Sequence, residues 1–181
     1  MSKRVIAIIF LTSLVVSNPD WIQASELTKS DRNIFLLAQS LKQNRAKANY
    51  SNNQLELLNL INKTRRQQGL KALTFSSNLT TAAQNHVQDL IDNNTFGHDG
   101  SDGSSVADRV LATGYDYSSV GENVAAGREA PEQVFQQWMD SPGHRDNMLA
   151  ADYSEVGIGY ILDVAGTTYD HYWVLVLGQK F

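Results

Sequence analysis

The chain has 181 residues, 42% of them apolar, enough to bury one sizeable core but hardly two. It contains no cysteine, which excludes disulfides, a cysteine-based metal site and a lipid anchor through a thiol. Charge is divided unevenly: residues 25–71 carry nine basic and three acidic side chains, a net +6, whereas residues 72–181 carry four and fifteen, a net −11.

At the N-terminus Lys3 and Arg4 precede an apolar run over residues 5–16, the length of a signal-peptide core and short for a bilayer span. The pattern predicts export, with cleavage after Ala24, a location in the medium, the periplasm or the cell envelope, and no membrane span in the mature protein. The alternative for the same run is an uncleaved anchor. Residues 25–51 are polar apart from Ile34-Phe35-Leu36-Leu37 and read as a linker or arm with one short helix beginning near Ser30 or Asp31.

A folded domain is expected over residues 52–181. Asn52 or Asn53 suits an N-cap for a helix whose apolar positions are Leu55, Leu57, Leu58 and Ile61 and which stops at Gly69. A second helix fits residues 77–93, with Leu79, Ala82, Ala83, His86, Leu90 and Ile91 on one face; that face turns His86 inward, as a hydrogen-bonded core residue. Residues 105–112 read as a short helix ended by Gly114, followed by a polar loop to Gly121. Pro131 suits the first turn of a helix running to Asp140 with Val134, Phe135 and Trp138 on its buried side. Beyond it the pattern becomes β-rich, and residues 156–162 and 172–177 predict a hairpin turning around Ala165-Gly166-Thr167. Composition and periodicity reach a mixed α+β domain.

Three segments carry candidate chemistry. Gly97-His98-Asp99 follows the second helix, Gly121-Glu122-Asn123 lies in mid-chain, and Trp138-Met139-Asp140-Ser141-Pro142-Gly143-His144 joins a helix end to a Ser-Pro-Gly turn. Each active-looking side chain adjoins a glycine, which permits close backbone approach. Two neutral imidazoles and a carboxylate suit zinc or a similar divalent ion with an open position for water, so His98, Glu122 and His144 form a candidate cleft and candidate metal ligands. No His-Glu-x-x-His helix and no Gly-x-Ser-x-Gly elbow is present, and Ser141 stands before Pro142 in a structural turn. Nothing matches a nucleic-acid-binding pattern.

These segments, in this order and spacing, together with Phe96, the Tyr153-Ser154-Glu155-Val156-Gly157-Ile158-Gly159-Tyr160 stretch and the closing run from Tyr172 to Phe181, resemble the CAP superfamily, the secreted group of cysteine-rich secretory, antigen 5 and pathogenesis-related proteins with an SCP-like extracellular domain. The resemblance implies a three-layer α-β-α sandwich with a central antiparallel sheet. Lack of cysteine fits the bacterial members. The family presents two histidines and two acids in a cleft; His98, Glu122 and His144 match three of the four, and at the missing acid the chain has Met139, Asp140 and Ser141, with Asp140 as the candidate substitute. Two functions follow as expectations: a secreted binding module for a lipid, peptide or glycan, with or without a divalent metal, or a metal-dependent, peptidase-like hydrolase outside the cytoplasm.

Overall fold

The structure is a computed structural model and describes residues 50–163 and 166–181, together with Ser30, Asn33 and Ile34. The apolar run over residues 5–16 and the cleavage position lie outside the described residues. So does most of the arm, of which Ser30, Asn33 and Ile34 are helical. One compact unit runs Tyr50–Phe181.

Its first helix, α1 (Asn52–Gln67), begins one residue earlier than the asparagines suggest. Ser51 is the N-cap, in a capping box where its backbone N–H donates to Gln54 Oε1 at 2.7 Å and its hydroxyl accepts from Gln54 N at 3.3 Å. The helix gives way to Gly69 at φ 74°, a left-handed conformation that glycine adopts without a Cβ penalty. There follow β1 (Thr74–Phe75), α2 (Ser77–Asp92), α3 (Val106–Ala112), β2 (Tyr117–Ala126), α4 (Pro131–Asp140), α5 (Pro142–Leu149), β3 (Glu155–Leu162) and β4 (His171–Lys180).

The four strands form one sheet in the order β1-β3-β4-β2. It is antiparallel except at its edge, where the two-residue β1 runs parallel to β3, pairing Thr74 with Glu155 and Phe75 with Val156. The predicted hairpin is present, with Ile158 opposite Leu175. Because side chains alternate along a strand, the sheet feeds two cores. One face sends Ala125, Val156, Ile158, Trp173, Leu175 and Leu177 against α1, α4 and α5. The opposite face sends Val124, Tyr172, Val174 and Val176 against α2 and α3. These are the three layers, helices on both sides of the sheet.

Two corrections arise from the strands and helices. Residues 117–120, read from their polarity as loop, are the first half of β2 and pair with residues 178–180 of β4; serines on an exposed strand end look like loop because one side faces water. The Ser-Pro-Gly turn is a helix start, since Pro142 takes the first position of α5, where its missing N–H costs no helical hydrogen bond.

Gly157 and Gly159 decide how closely α2 lies on the sheet. A Cβ at Gly157 would stand 2.0 Å from the backbone carbon of Leu79, and one at Gly159 would stand 2.5 Å from Ala83 O. The helix backbone therefore rests directly on β3. The outer edge of β3 beyond β1 is bonded by side-chain amides: Gln54 Nε2 donates to Ile158 O, and Tyr160 N donates to Gln84 Oε1 at 3.2 Å.

Candidate functional site

The site is built where the loop after α2, the middle of β2 and the first turn of α5 meet. Glu122 pairs with Val176 in the sheet and its side chain is 2% exposed. Burial makes an unpaired carboxylate costly, and the structure supplies partners for both oxygens. His98 Nδ1 donates to Oε1 at 2.9 Å, and Arg109 Nη2 donates to Oε2 at 2.8 Å. Donation by Nδ1 assigns the tautomer of neutral His98, leaving Nε2 with its lone pair on a ring that is 58% exposed.

Beneath this pair lies His86, fully buried, whose Nε2 donates to Gly97 O at 3.1 Å and stands 3.9 Å from Glu122 Oε1. A carbonyl only accepts, so Nε2 carries the proton and Nδ1, which has no partner, is a buried lone pair. Burial lowers the His86 pKa, against the opposing pull of Glu122 and with a further lowering from Arg109. The expectation of a hydrogen-bonded core histidine describes His86. Its proximity to Glu122 was not legible from the apolar stripe of its helix.

His144 arrives from the other side on α5. Asn123, fully buried, donates through Nδ2 to His144 O at 2.9 Å, and Asn147 Nδ2 donates to Glu122 O at 3.1 Å and to Asn123 Oδ1 at 2.9 Å. The asparagine of Gly-Glu-Asn thus ties β2 to the histidine helix. Trp138 lies fully buried behind, its ring centroid 6.5 Å from that of His144. His144 Nδ1 is buried without a hydrogen-bond partner. Its pKa is lowered, first by desolvation and then by the charge of a protonated His98, which places the two imidazoles in each other's field. At the C-terminal end of α5, fully buried Arg65 donates Nη1 to Met148 O at 2.8 Å and Ala150 O at 2.9 Å, fixing that helix against α1.

The three glycines differ in what they do. A Cβ at Gly121 would stand 2.6 Å from the Tyr153 hydroxyl, so close approach is required there. At Gly97 and Gly143 an added Cβ meets nothing within 4 Å, and at Gly121 it meets side chains, so the expectation of close backbone approach is corrected at all three.

Asp140 does not take the place of the missing acid. It is exposed, accepts from Gln136 Nε2 at 2.8 Å, and lines a surface groove with Arg128, Glu132 and Gln133. The metal reading meets a related difficulty. Among the described residues no group of three or more His, Asp or Glu side chains is placed to hold an ion. Glu122, expected as a ligand, has a guanidinium on one oxygen and an imidazole N–H on the other. The three side chains as arranged do not fit the expected three-ligand set, because both oxygens of Glu122 are already engaged.

The signature of the cysteine-rich secretory protein family, CAP, matches residues 58–177. The chain belongs to that family. The uncharacterized protein YkwD of Bacillus subtilis strain 168 is 37% identical over 106 residues, which cover 59% of this chain and 41% of YkwD. The uncharacterized membrane protein YlbC of the same organism is 31% identical over 104 residues, 58% of this chain and 30% of YlbC. The match thus spans less than half the length of either relative. Among solved structures, an extracellular SCP-domain protein of Bacillus anthracis aligns with a TM-score of 0.62 at 27% identity, over 70% of this chain and 40% of that one. An outer surface protein of Borrelia burgdorferi aligns at 0.64 and 21% identity, over 71% and 93%, a likeness of fold alone. This CAP domain is of the cysteine-free type. No described helix is long and apolar enough to cross a membrane.

Two residues in contact with Glu122 escaped sequence reasoning. Arg109 sits in an unremarkable short helix, and the one available hint is that a lone basic residue follows the His98 loop in a strongly acidic stretch. Asn147 lies three positions after His144, the spacing that puts two side chains on one helix face.

Proposed function

We propose that this chain is an exported binding module whose cleft, between the imidazoles of His98 and His144, receives a peptide or glycan. The observation that carries the reading is the saturation of Glu122. A hydrolase of the expected kind needs a carboxylate or imidazole that takes a proton from water or from a nucleophile. Glu122 has both oxygens engaged and almost no exposure. Among the described residues no serine or threonine hydroxyl bonds His98 or His144, so neither imidazole has a side-chain nucleophile hydrogen-bonded to it. What remains is the exposed imidazole of His98, with Nε2 as an acceptor, and beside it the imidazole of His144, two polar groups without a charged partner of their own. Such groups suit the N–H and O–H donors of peptides and sugars better than an acyl chain, which sets the lipid alternative behind the other two. Export is supported by the basic-then-apolar start and by similarity to a protein described as extracellular.

The test is titration of the full chain with soluble peptidoglycan fragments, which carry both a peptide and a glycan, while imidazole nitrogen resonances are followed by NMR. Saturable shifts at His98 and His144, lost in His98→Ala, are expected. Turnover of a peptide or ester library by wild type that disappears in a folded Glu122→Gln variant would reverse the assignment in favour of the hydrolase. Mass spectrometry of the culture medium and envelope should find a chain starting near Ser25; an intact Met1 in the membrane fraction refutes cleavage.

A further inference from the structure

We infer that Arg109 is a positioning residue that keeps the Nε2 lone pair of His98 free by supplying the positive charge Glu122 requires. The guanidinium makes three contacts, two on the loop that carries His98 and one on β2. Nη1 donates to Ser104 O at 2.7 Å, and Nη2 donates to His98 O at 2.9 Å and to Glu122 Oε2 at 2.8 Å. It therefore holds the loop carrying His98 at two points and joins it to β2 through the carboxylate. The Arg109 side chain is only 11% exposed, so this is a shielded pair in which charge balance matters more than at the surface.

The balance decides where the protons of His98 sit. Glu122, Arg109, His98 and His86 meet here, with Asp102 and Asp108 in the field of Arg109, Asp89 in that of His86 and His144 in that of His98. His86 brings no compensating charge, since its Nε2–H is committed to Gly97 O and burial disfavours its protonated form. With Arg109 in place the carboxylate is neutralised and accepts from Nδ1–H of a neutral imidazole. Without Arg109 a buried carboxylate faces a single neutral donor, and charge can be restored in two ways. His98 becomes an imidazolium, with protons on both nitrogens, or the carboxyl takes a proton and donates it to Nδ1, which moves the imidazole proton to Nε2. Both routes end with a proton on Nε2 and remove the acceptor from the cleft. Lysine preserves the charge but is a point donor without the planar fork that reaches Ser104 O, His98 O and Glu122 together.

This inference deepens the binding reading, and it is tested without any ligand, so its failure is distinguishable from a failure of that reading. The full chain is labelled with 15N, and the side-chain nitrogens of His98 are observed at pH 7 in wild type, Arg109→Lys and Arg109→Met. Wild type is expected to show a protonated Nδ1 and a pyridine-like Nε2. Arg109→Lys should retain that pattern, and Arg109→Met should lose the pyridine-like signal at Nε2, with His171, which bonds Tyr160, as the internal control. Arg109 N–H resonances in wild type should be distinct and slow to exchange. A pyridine-like Nε2 that persists in folded Arg109→Met overturns the inference. So does a wild-type His98 protonated at Nε2, or a wild-type Arg109 whose guanidinium protons exchange as freely as those of a surface arginine, and these last two readings stand whether or not the methionine variant folds.

Discussion

Gly157→Ala tests the contact on which the whole α2 layer depends. The new Cβ would lie 2.0 Å from Leu79 C and 2.2 Å from Thr80 N, both helix backbone, against about 3.4 Å for ordinary contact. No rotamer change relieves this, so α2 must withdraw by about 1.4 Å. The helix has 16 residues, which makes it about 24 Å long at 1.5 Å per residue. A rigid withdrawal beneath a strip about 8 Å wide opens about 270 Å³. At about 24 cal/mol per Å³ of cavity that costs about 6 kcal/mol, and a pivot that opens half the volume costs about 3 kcal/mol. Leu79, Ala83, Val87 and Leu90, all fully buried, line the opened space. The expected loss is therefore about 3–6 kcal/mol, a large share of the total stability of about 5–15 kcal/mol for a domain. Urea unfolding followed by tryptophan fluorescence measures it, with the midpoint falling while the slope is retained. A loss under about 1 kcal/mol would falsify the argument, because it would mean that the helix does not rest on the strand backbone at Gly157.

Gly143→Ala should be neutral or raise stability by up to about 1 kcal/mol, since its Cβ meets open space and alanine is the better helix former; a clear loss in thermal unfolding counts against that geometry. Arg65→Met removes four donations, to the carbonyls of Lys71, Met148, Ala150 and Tyr153, and should cost about 3–5 kcal/mol in urea unfolding. It should also broaden the His144 resonances as α5 loosens. His86 and His144 both have lowered pKa values in the folded chain, so the unfolded chain binds more protons below about pH 6.5 and stability falls as pH is lowered through that value. Each contributes a slope of about 1.4 kcal/mol per pH unit until its folded pKa is reached, and His86→Gln should flatten the curve measured between pH 7 and 5. Removing residues 25–49 should leave the cooperative transition intact, while removing Tyr50 as well should lower it, because Tyr50 stacks on Phe75 with centroids 3.9 Å apart.

Much of this molecule is local in origin and therefore readable from order alone. The 3.6-residue spacing of Leu57, Leu58 and Ile61, or of Leu79, Ala83 and Leu90, marks helix faces because the period is a property of the backbone. Pro131 marks the start of α4 for the same kind of reason, since its ring fixes φ whatever surrounds it. The motifs around His98, Glu122 and His144 pointed to the family. What order alone left open depends on partners far apart in the chain. The polar residues 117–120 are strand only because residues 178–180 lie beside them, and Gly157 matters only because α2 crosses it. The chemistry of the cleft is of the same kind. Glu122 reads as a metal ligand or base when it is taken as a carboxylate near two histidines. It becomes a buried acceptor once Arg109, thirteen residues away, and His98, twenty-four away, are found on its oxygens. A pattern records which groups are present, whereas protonation and availability are set by burial and by the charges within a few ångströms, and folding alone brings those together.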